Sequence, residues 1–136
     1  KDGMDMALLG LDFKNNKLEY AGANNGVYII RNGELIETKG NRFAIGSFIR
    51  GEKRKFDNHT FDLQKGDLIY VFSDGYPDQF GGESGKKYKY KPFKEFLLSI
   101  HEKSMSEQHK LLEQDFINWL GDYSQIDDVL VIGVRV

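Results

Sequence analysis

Residues 68–78 read Leu-Ile-Tyr-Val-Phe-Ser-Asp-Gly-Tyr-Pro-Asp, and residues 125–136 read Gln-Ile-Asp-Asp-Val-Leu-Val-Ile-Gly-Val-Arg-Val. Each is a short, apolar, β-rich run with carboxylates at one end only. Asp74-Gly75 follows the first run, and Asp127-Asp128 opens the second. If the two strands lie side by side and antiparallel, the end of one meets the start of the other. The carboxylates then converge on one rim of a sheet. Oxygen-only ligands at such a rim suit hard divalent cations such as Mg²⁺ or Mn²⁺, which points toward metal-assisted phosphate chemistry.

Each acid also has an ordinary alternative. Asp after a strand starts turns and caps helices, so Asp74 reads equally as a turn residue, and Asp78 as the cap of a short helical turn. Asp127 and Asp128 read alone as two solvated loop residues. Together these alternatives weaken, because clustered like charges without a cation would raise one another's pKa and strain the fold.

The bulk composition is that of a soluble globular domain: 136 residues, 40% hydrophobic and 29% charged. That length supports one core and not two. A net charge of −2 gives no reason to expect nucleic acid as a partner. There is no cysteine, which excludes disulfides, zinc-thiolate sites and thiol nucleophiles and fits a reducing cytoplasm. No apolar run reaches the roughly 18 residues of a membrane span. The chain opens Lys1-Asp-Gly-Met-Asp5 without an initiator Met and reads as a fragment.

Working outward, Met4–Phe13 reads as a strand, followed by strands at Leu18–Ala21, Val27–Ile30 and Leu35–Thr38. Asn32-Gly33 marks a hairpin between the last two. Residues 41–55 read as loop. His59–Leu63 is expected to pair with Leu68–Phe72 across Gln64–Asp67. Gly81, Gly82 and Gly85, with Lys86, Lys87, Lys89 and Lys91, read as a flexible basic loop, usually a solvated face. Beside a phosphate site, Lys86, Lys87 and Lys89 would steer a phosphorylated substrate. Pro92 opens a helix whose apolar face is Phe93, Phe96, Leu97 and Ile100. Ser104-Met-Ser-Glu107 is a capping box for a second helix carrying Met105, Leu112, Phe116, Trp119 and Leu120, which Gly121 ends. Val129–Val136 is apolar nearly throughout and is expected to be central in its sheet. Antiparallel strands, then two helices, then a strand predict an α+β fold with helices packed on sheet.

Other chemistries find no support. His59 lacks a partner at metal spacing, and His101 and His109 occupy polar helix positions. Ser73 lacks the flanking glycines of a nucleophile elbow, and there is no phosphate loop of the G-x-x-x-x-G-K-[ST] kind. An aspartyl-phosphate enzyme built on Asp74 would want a second Asp at position 76, which is Tyr.

Leu18-Glu-Tyr-Ala-Gly-Ala-Asn-Asn-Gly26, Leu63-Gln-Lys-Gly-Asp67, Phe72-Ser-Asp-Gly-Tyr76 and Gln125-Ile-Asp-Asp-Val129 together carry a family likeness. The chain resembles, over essentially its whole length, the sporulation stage II E-type phosphatases. These are the bacterial branch of the metal-dependent 2C-type protein serine/threonine phosphatases. The phrases Tyr20-Ala-Gly-Ala-Asn-Asn25 and Asp74-Gly-Tyr-Pro-Asp-Gln-Phe-Gly-Gly82 look like a subgroup that ends bacterial sensor proteins.

The resemblance implies a four-layer αββα sandwich and a two-metal hydrolase that activates a bridging water for attack on phosphoserine or phosphothreonine. It implies Asp74 and Asp127 as metal ligands. Gly75, Asp78 and Asp128 would make further metal contacts or support the ligands. Implied partners are a phosphorylated regulatory protein and an upstream sensor in the same parent, cytoplasmic or membrane-attached, with no insertion of this domain itself. The family's first motif, which supplies an aspartate bridging both metals, has no match. Asp2 precedes a strand that lies well after that motif in relatives, and Ala23 stands where many relatives have Asp. The expectation is therefore a single partial domain over residues 1–136, the later part, lacking its first strands and one helical layer. Alone it would be weak or inactive as an enzyme. A rival reading keeps the scaffold as a non-catalytic interaction module presenting residues 22–26 and 81–91, with a homodimer formed through exposed apolar surface.

Overall fold

The computed structural model describes residues 3–46 and 54–136. The elements follow in the order β1 Gly3–Met4, β2 Met6–Asp12, β3 Lys17–Ala23, β4 Val27–Arg31, β5 Glu34–Thr38, β6 Ile45–Gly46, β7 His59–Asp62 and β8 Leu68–Phe72. Then come β9 Phe80–Gly81, β10 Lys86–Lys87, α1 Tyr90–Ile100, α2 Met105–Leu120 and β11 Val131–Arg135. One sheet has the order β11-β8-β4-β5 and a second β2-β3-β7, while β1-β6 and β9-β10 form short ribbons. Every strand pair is antiparallel.

The layers follow from the period-2 alternation of β4 and β8. Tyr28, Ile30, Leu68, Tyr70 and Phe72 face the helices and pack with Phe93, Leu97 and Phe116. Their neighbours Val27, Ile29 and Ile69 face the other sheet and pack with Leu18, Tyr20 and Leu63. Both faces of these strands are buried, which is why β8 reads as a continuous apolar run. The helix-side core is aromatic: ring centroids lie 4.7 Å apart for Tyr28–Phe72 and 4.9 Å for both Phe72–Phe93 and Tyr76–Phe93. The result is helices on sheet on sheet.

Local signals work as their chemistry dictates. Asn32 and Gly33 take positive φ of 51° and 77°, the two-residue turn whose twist matches its flanking strands. Ser104 caps α2 by accepting from the Glu107 amide at 3.1 Å, and Gly121 ends the helix at φ 53°. Gln108 is buried on α2 because both ends are used: Tyr70 donates to its Oε1, and its Nε2 donates to the carbonyls of His101 and Lys103.

The structure corrects several expectations. β7 pairs with β3, not with β8. Phe61 and Leu63 feed the core between the sheets, so β7 passes into the second sheet while β8 stays in the first. β11 lies at the edge of its sheet rather than the centre, with Leu130 and Ile132 about half exposed. The first strand breaks at Asp5, because β1 pairs with β6 while β2 pairs with β3. Of the loop expected at 41–55, β6 is strand, and residues 47–53 lie outside the described residues. The glycine–lysine loop is a ribbon: Gly82 and Gly85 adopt positive φ, and the Gly82 amide donates to the Trp119 carbonyl. Helix α1 starts at Tyr90, placing Pro92 within its first turn.

The turn between β7 and β8 is held by Asp67, which is 2% exposed. It accepts from Arg31 Nε at 3.0 Å, Arg31 Nη2 at 2.7 Å and the Gln64 amide at 2.8 Å. Burial pushes its pKa up, but the bonds and charge of Arg31 outweigh this and hold it below its ordinary value of 3.8. A depressed carboxylate contributes stability that is present above the unfolded value and lost as pH falls through the folded one. Asp67→Asn should therefore cost about 2 kcal/mol at neutral pH. Urea midpoints should show that difference shrinking as the pH drops below 3.8; a gap independent of pH would remove the ion pair from the explanation.

Candidate functional site at the sheet rim

β8 and β11 pair from Leu68↔Arg135 to Phe72↔Val131. The chain leaving β8 therefore runs alongside the chain entering β11. Ser73 ties the two: its amide donates to the Leu130 carbonyl at 2.9 Å, and its Oγ donates to the Asp128 carbonyl at 2.9 Å. The Leu130 amide in turn donates to Ser73 Oγ at 3.0 Å. Gly75 lies against the same segment, where a Cβ would overlap the Asp128 carbonyl oxygen. Glycine is needed there for close backbone approach.

The segment entering β11 is fixed from the other side by Gln79, which is fully buried. Its Nε2 donates to the carbonyls of Phe80 and Ser124, and the Ile126 amide donates to its Oε1. The Trp119 indole donates to the Gln79 carbonyl at 2.8 Å, linking this corner to α2. Sequence reasoning assigned Gln79 no role, yet it positions the approach to Asp127.

The structure brings the predicted acids to one rim. Asp74 opens a turn in which the Asp78 amide donates to the Asp74 carbonyl at 2.9 Å. Partial desolvation raises the Asp74 pKa, and the charges of Asp78, Asp127 and Asp5 raise it further. Asp127 and Asp128 are exposed, and Asp127 Oδ1 accepts from the Asp128 amide at 2.7 Å. Asp5 is an addition the sequence did not reveal. It sits at the break between β1 and β2, and Asn24 Nδ2 donates to its Oδ1 at 2.8 Å. A carboxylate interrupting an apolar strand was the available signal.

Lys87 stands 3.7 Å from Asp78, so one of the three predicted steering lysines reaches the rim. Lys86 is exposed on the ribbon, and Lys89 is the N-cap residue of α1 at φ 80°.

The donor chemistry is oxygen-only, and among the described residues only Lys87 beside Asp78 offsets its charge, which fits a hard divalent cation. The set is partial: among the described residues, no three acidic or histidine side chains converge closely enough to hold a metal.

Comparisons with known proteins bear on the family and the fold. The family described as stage II sporulation protein E (SpoIIE) matches residues 2–136. The SiaA-PP2C domain of Pseudomonas aeruginosa superposes with a TM-score of 0.88 at 28% identity, covering 97% of this chain and 51% of that one. The phosphatase domain of SpoIIE from Bacillus subtilis, solved after presoaking with Mn, gives 0.72 at 16% identity, covering 97% and 56%. The serine/threonine phosphatase PstP/Ppp of Mycobacterium tuberculosis gives 0.60 at 18% identity, covering 96% and 59%. No curated protein sequence matches significantly. The chain thus spans little more than half the length of these solved relatives. With the family model matching residues 2–136 and the αβ layers shared with solved phosphatase domains, the chain belongs to the SpoIIE family of 2C-type phosphatase domains.

Proposed function

We propose that this chain is part of a metal-dependent phosphatase domain acting on phosphoserine or phosphothreonine in a regulatory protein. The observation that carries the reading is the placement of Asp78, Asp127 and Asp5 near enough to Asp74 for their charges to add to partial desolvation in raising its pKa. Asp74 and Asp127 would hold Mg²⁺ or Mn²⁺, with Asp78, Asp128 and the tight backbone at Gly75 in support. When bound, such cations supply Lewis-acid activation of water and neutralise charge on the phosphoryl oxygens. Lys87, beside Asp78, and the exposed Lys86 and Lys89 would draw an anionic substrate toward the rim.

Among the described residues no three of these acids stand close enough together to hold a metal, so this chain alone should turn over phosphopeptide slowly or not at all. The parent would be a signalling protein whose sensor lies outside this chain. No described helix is long and apolar enough to cross a membrane. The test is release of phosphate from a phosphoserine peptide by a longer piece of the parent and by this chain, each with Mn²⁺ and with EDTA. Mn²⁺-dependent release by the longer protein supports the reading. Absence of release there would overturn it, and equal rates from both would overturn the incompleteness argument.

A second reading, an interaction or dimerisation module, has one observation in its favour. Ile117, Ile126, Leu130 and Ile132 are exposed around α2 and the edge strand β11. Light scattering that gives a dimer mass, lost in Ile132→Lys, would favour it.

A further inference from the structure

We propose that the cavity beside Asp74 is a recognition pocket for an acidic side chain of the substrate protein, close in sequence to the phosphorylated residue. The proposal rests on the phosphatase reading above, since Asp74 belongs both to the rim and to the cavity wall. The cavity measures about 320 Å³, ample for a glutamate side chain.

Three observations select the ligand. Tyr28 lines the cavity and is completely buried, yet its hydroxyl is the one buried side-chain polar atom without a hydrogen-bond partner among the described residues. Burial, then the charge of Glu37 and the neighbouring Tyr90, pushes its pKa up, so it is a neutral phenol that can donate. A buried donor without an acceptor is rare enough to require an explanation. Next, Lys39 and Arg42 line the same cavity, are exposed, and form no ion pair among the described residues. Lys94 differs: its ammonium is 2.6 Å from Glu37 Oε1 and 5.5 Å from the centre of the Tyr28 ring, so its charge is already matched. One unsatisfied donor and two uncommitted cations call for an anionic acceptor, and a carboxylate matches the fork of an arginine.

The third observation is rigidity. The wall at 22–26 is locked to 40–41 by bonds from the Asn24 amide to the Asn41 carbonyl and from the Asn41 amide to the Gly22 carbonyl, both 2.8 Å. At Gly40 a Cβ would stand 2.7 Å from the Gly22 carbonyl oxygen, so the two segments leave no slack. A preformed pocket loses less on binding than a floppy one. On the phosphatase reading the phosphoryl group would sit at the acidic rim, which leaves this cavity, where Lys39, Arg42 and Lys94 outnumber Glu37 and Asp74, to the neighbouring residue. The ordinary alternative is a wet pocket in which water satisfies Tyr28 and the two cations are simply solvated.

Tyr28→Phe separates these cases because it removes only the hydroxyl and keeps the charge. Fluorescent phosphoserine peptides, otherwise alanine, would carry one glutamate scanned over the two positions on either side. Their binding to this chain would be read by anisotropy, with Mn²⁺ and with EDTA. We expect one glutamate position to bind roughly tenfold tighter than the all-alanine peptide. Tyr28→Phe and Arg42→Ala should each reduce that preference while leaving the all-alanine peptide unaffected. Thermal melts should show Tyr28→Phe no less stable, since its hydroxyl makes no bond to lose. No preferred glutamate position, or a preference unchanged in both variants, overturns the proposal. A glutamate preference that persists here while the longer protein releases no phosphate from the same peptides with Mn²⁺ upholds the pocket and overturns the phosphatase reading.

Discussion

Asp74→Asn should abolish tight Mn²⁺ binding and turnover in the complete domain, yet make the metal-free chain more stable. The two halves have one cause. Asp74 is partly desolvated and faces the charges of Asp78, Asp127 and Asp5, so without a cation its ionised form is disfavoured. A raised carboxylate pKa means that stability present below the unfolded value of 3.8 is lost as pH climbs through the folded value. At neutral pH the metal-free protein carries that loss in full, and asparagine removes it. The same substitution deletes a ligand charge. Changing residues that merely support ligands costs about 10–100-fold in affinity or activity, so losing a ligand should cost at least about 100-fold. Melts of this chain in EDTA and Mn²⁺ calorimetry on the longer protein check the two halves separately. An unchanged metal-free melting temperature would refute the crowding of charge at the rim. Unchanged Mn²⁺ affinity would remove Asp74 from the ligand set.

What made this rim legible was direction. The acids of residues 74 and 127–128 lie at opposite ends of their two apolar runs, and an antiparallel ladder then places them together with no further information. Turn and cap chemistry was legible for the same local reason. Asn32-Gly33 can reach positive φ cheaply, and Ser104 with Glu107 satisfies amides three residues away. The larger failures are choices of partner. The run at β7 has the alternation of a hairpin strand, but nothing in residues 59–72 says that Phe61 and Leu63 join a different layer from Leu68. An apolar run such as β11 settles neither the pairing of its edges nor the burial of its faces: it pairs only with β8, and Ile132 stays about half exposed. Asp5 reaches the rim only because its neighbour Met4 pairs with Ile45, far along the chain. Buried polar side chains such as Gln79 are invisible for the same reason: their bonds at residues 80, 124 and 126 exist only after folding.

Gly75→Ala should disable the rim without touching a carboxylate. The glycine does not take a left-handed backbone, so alanine is not strained by conformation. Its cost is steric, because the new methyl would overlap the Asp128 carbonyl and stand 3.3 Å from Val129 Cγ2. Neither is the loose end of a flexible side chain, so the two chain segments must separate. The bonds through Ser73 to Asp128 and Leu130 would stretch with them. We expect a loss of about 3 kcal/mol, the upper range for overpacking, together with loss of Mn²⁺ binding in the longer protein. Gly33→Ala is the matched control. It sits at φ 77° with nothing within 4 Å of the added methyl, so it should cost about 1 kcal/mol of backbone strain and leave the metal site intact. If both variants lose stability but neither loses metal, the apposition of Gly75 and Asp128 is a packing detail. If only Gly75→Ala loses metal, close approach of the two backbones is what keeps Asp74 and Asp127 together at the rim, where they would hold a cation. The function then depends on a missing Cβ as much as on the acids beside it.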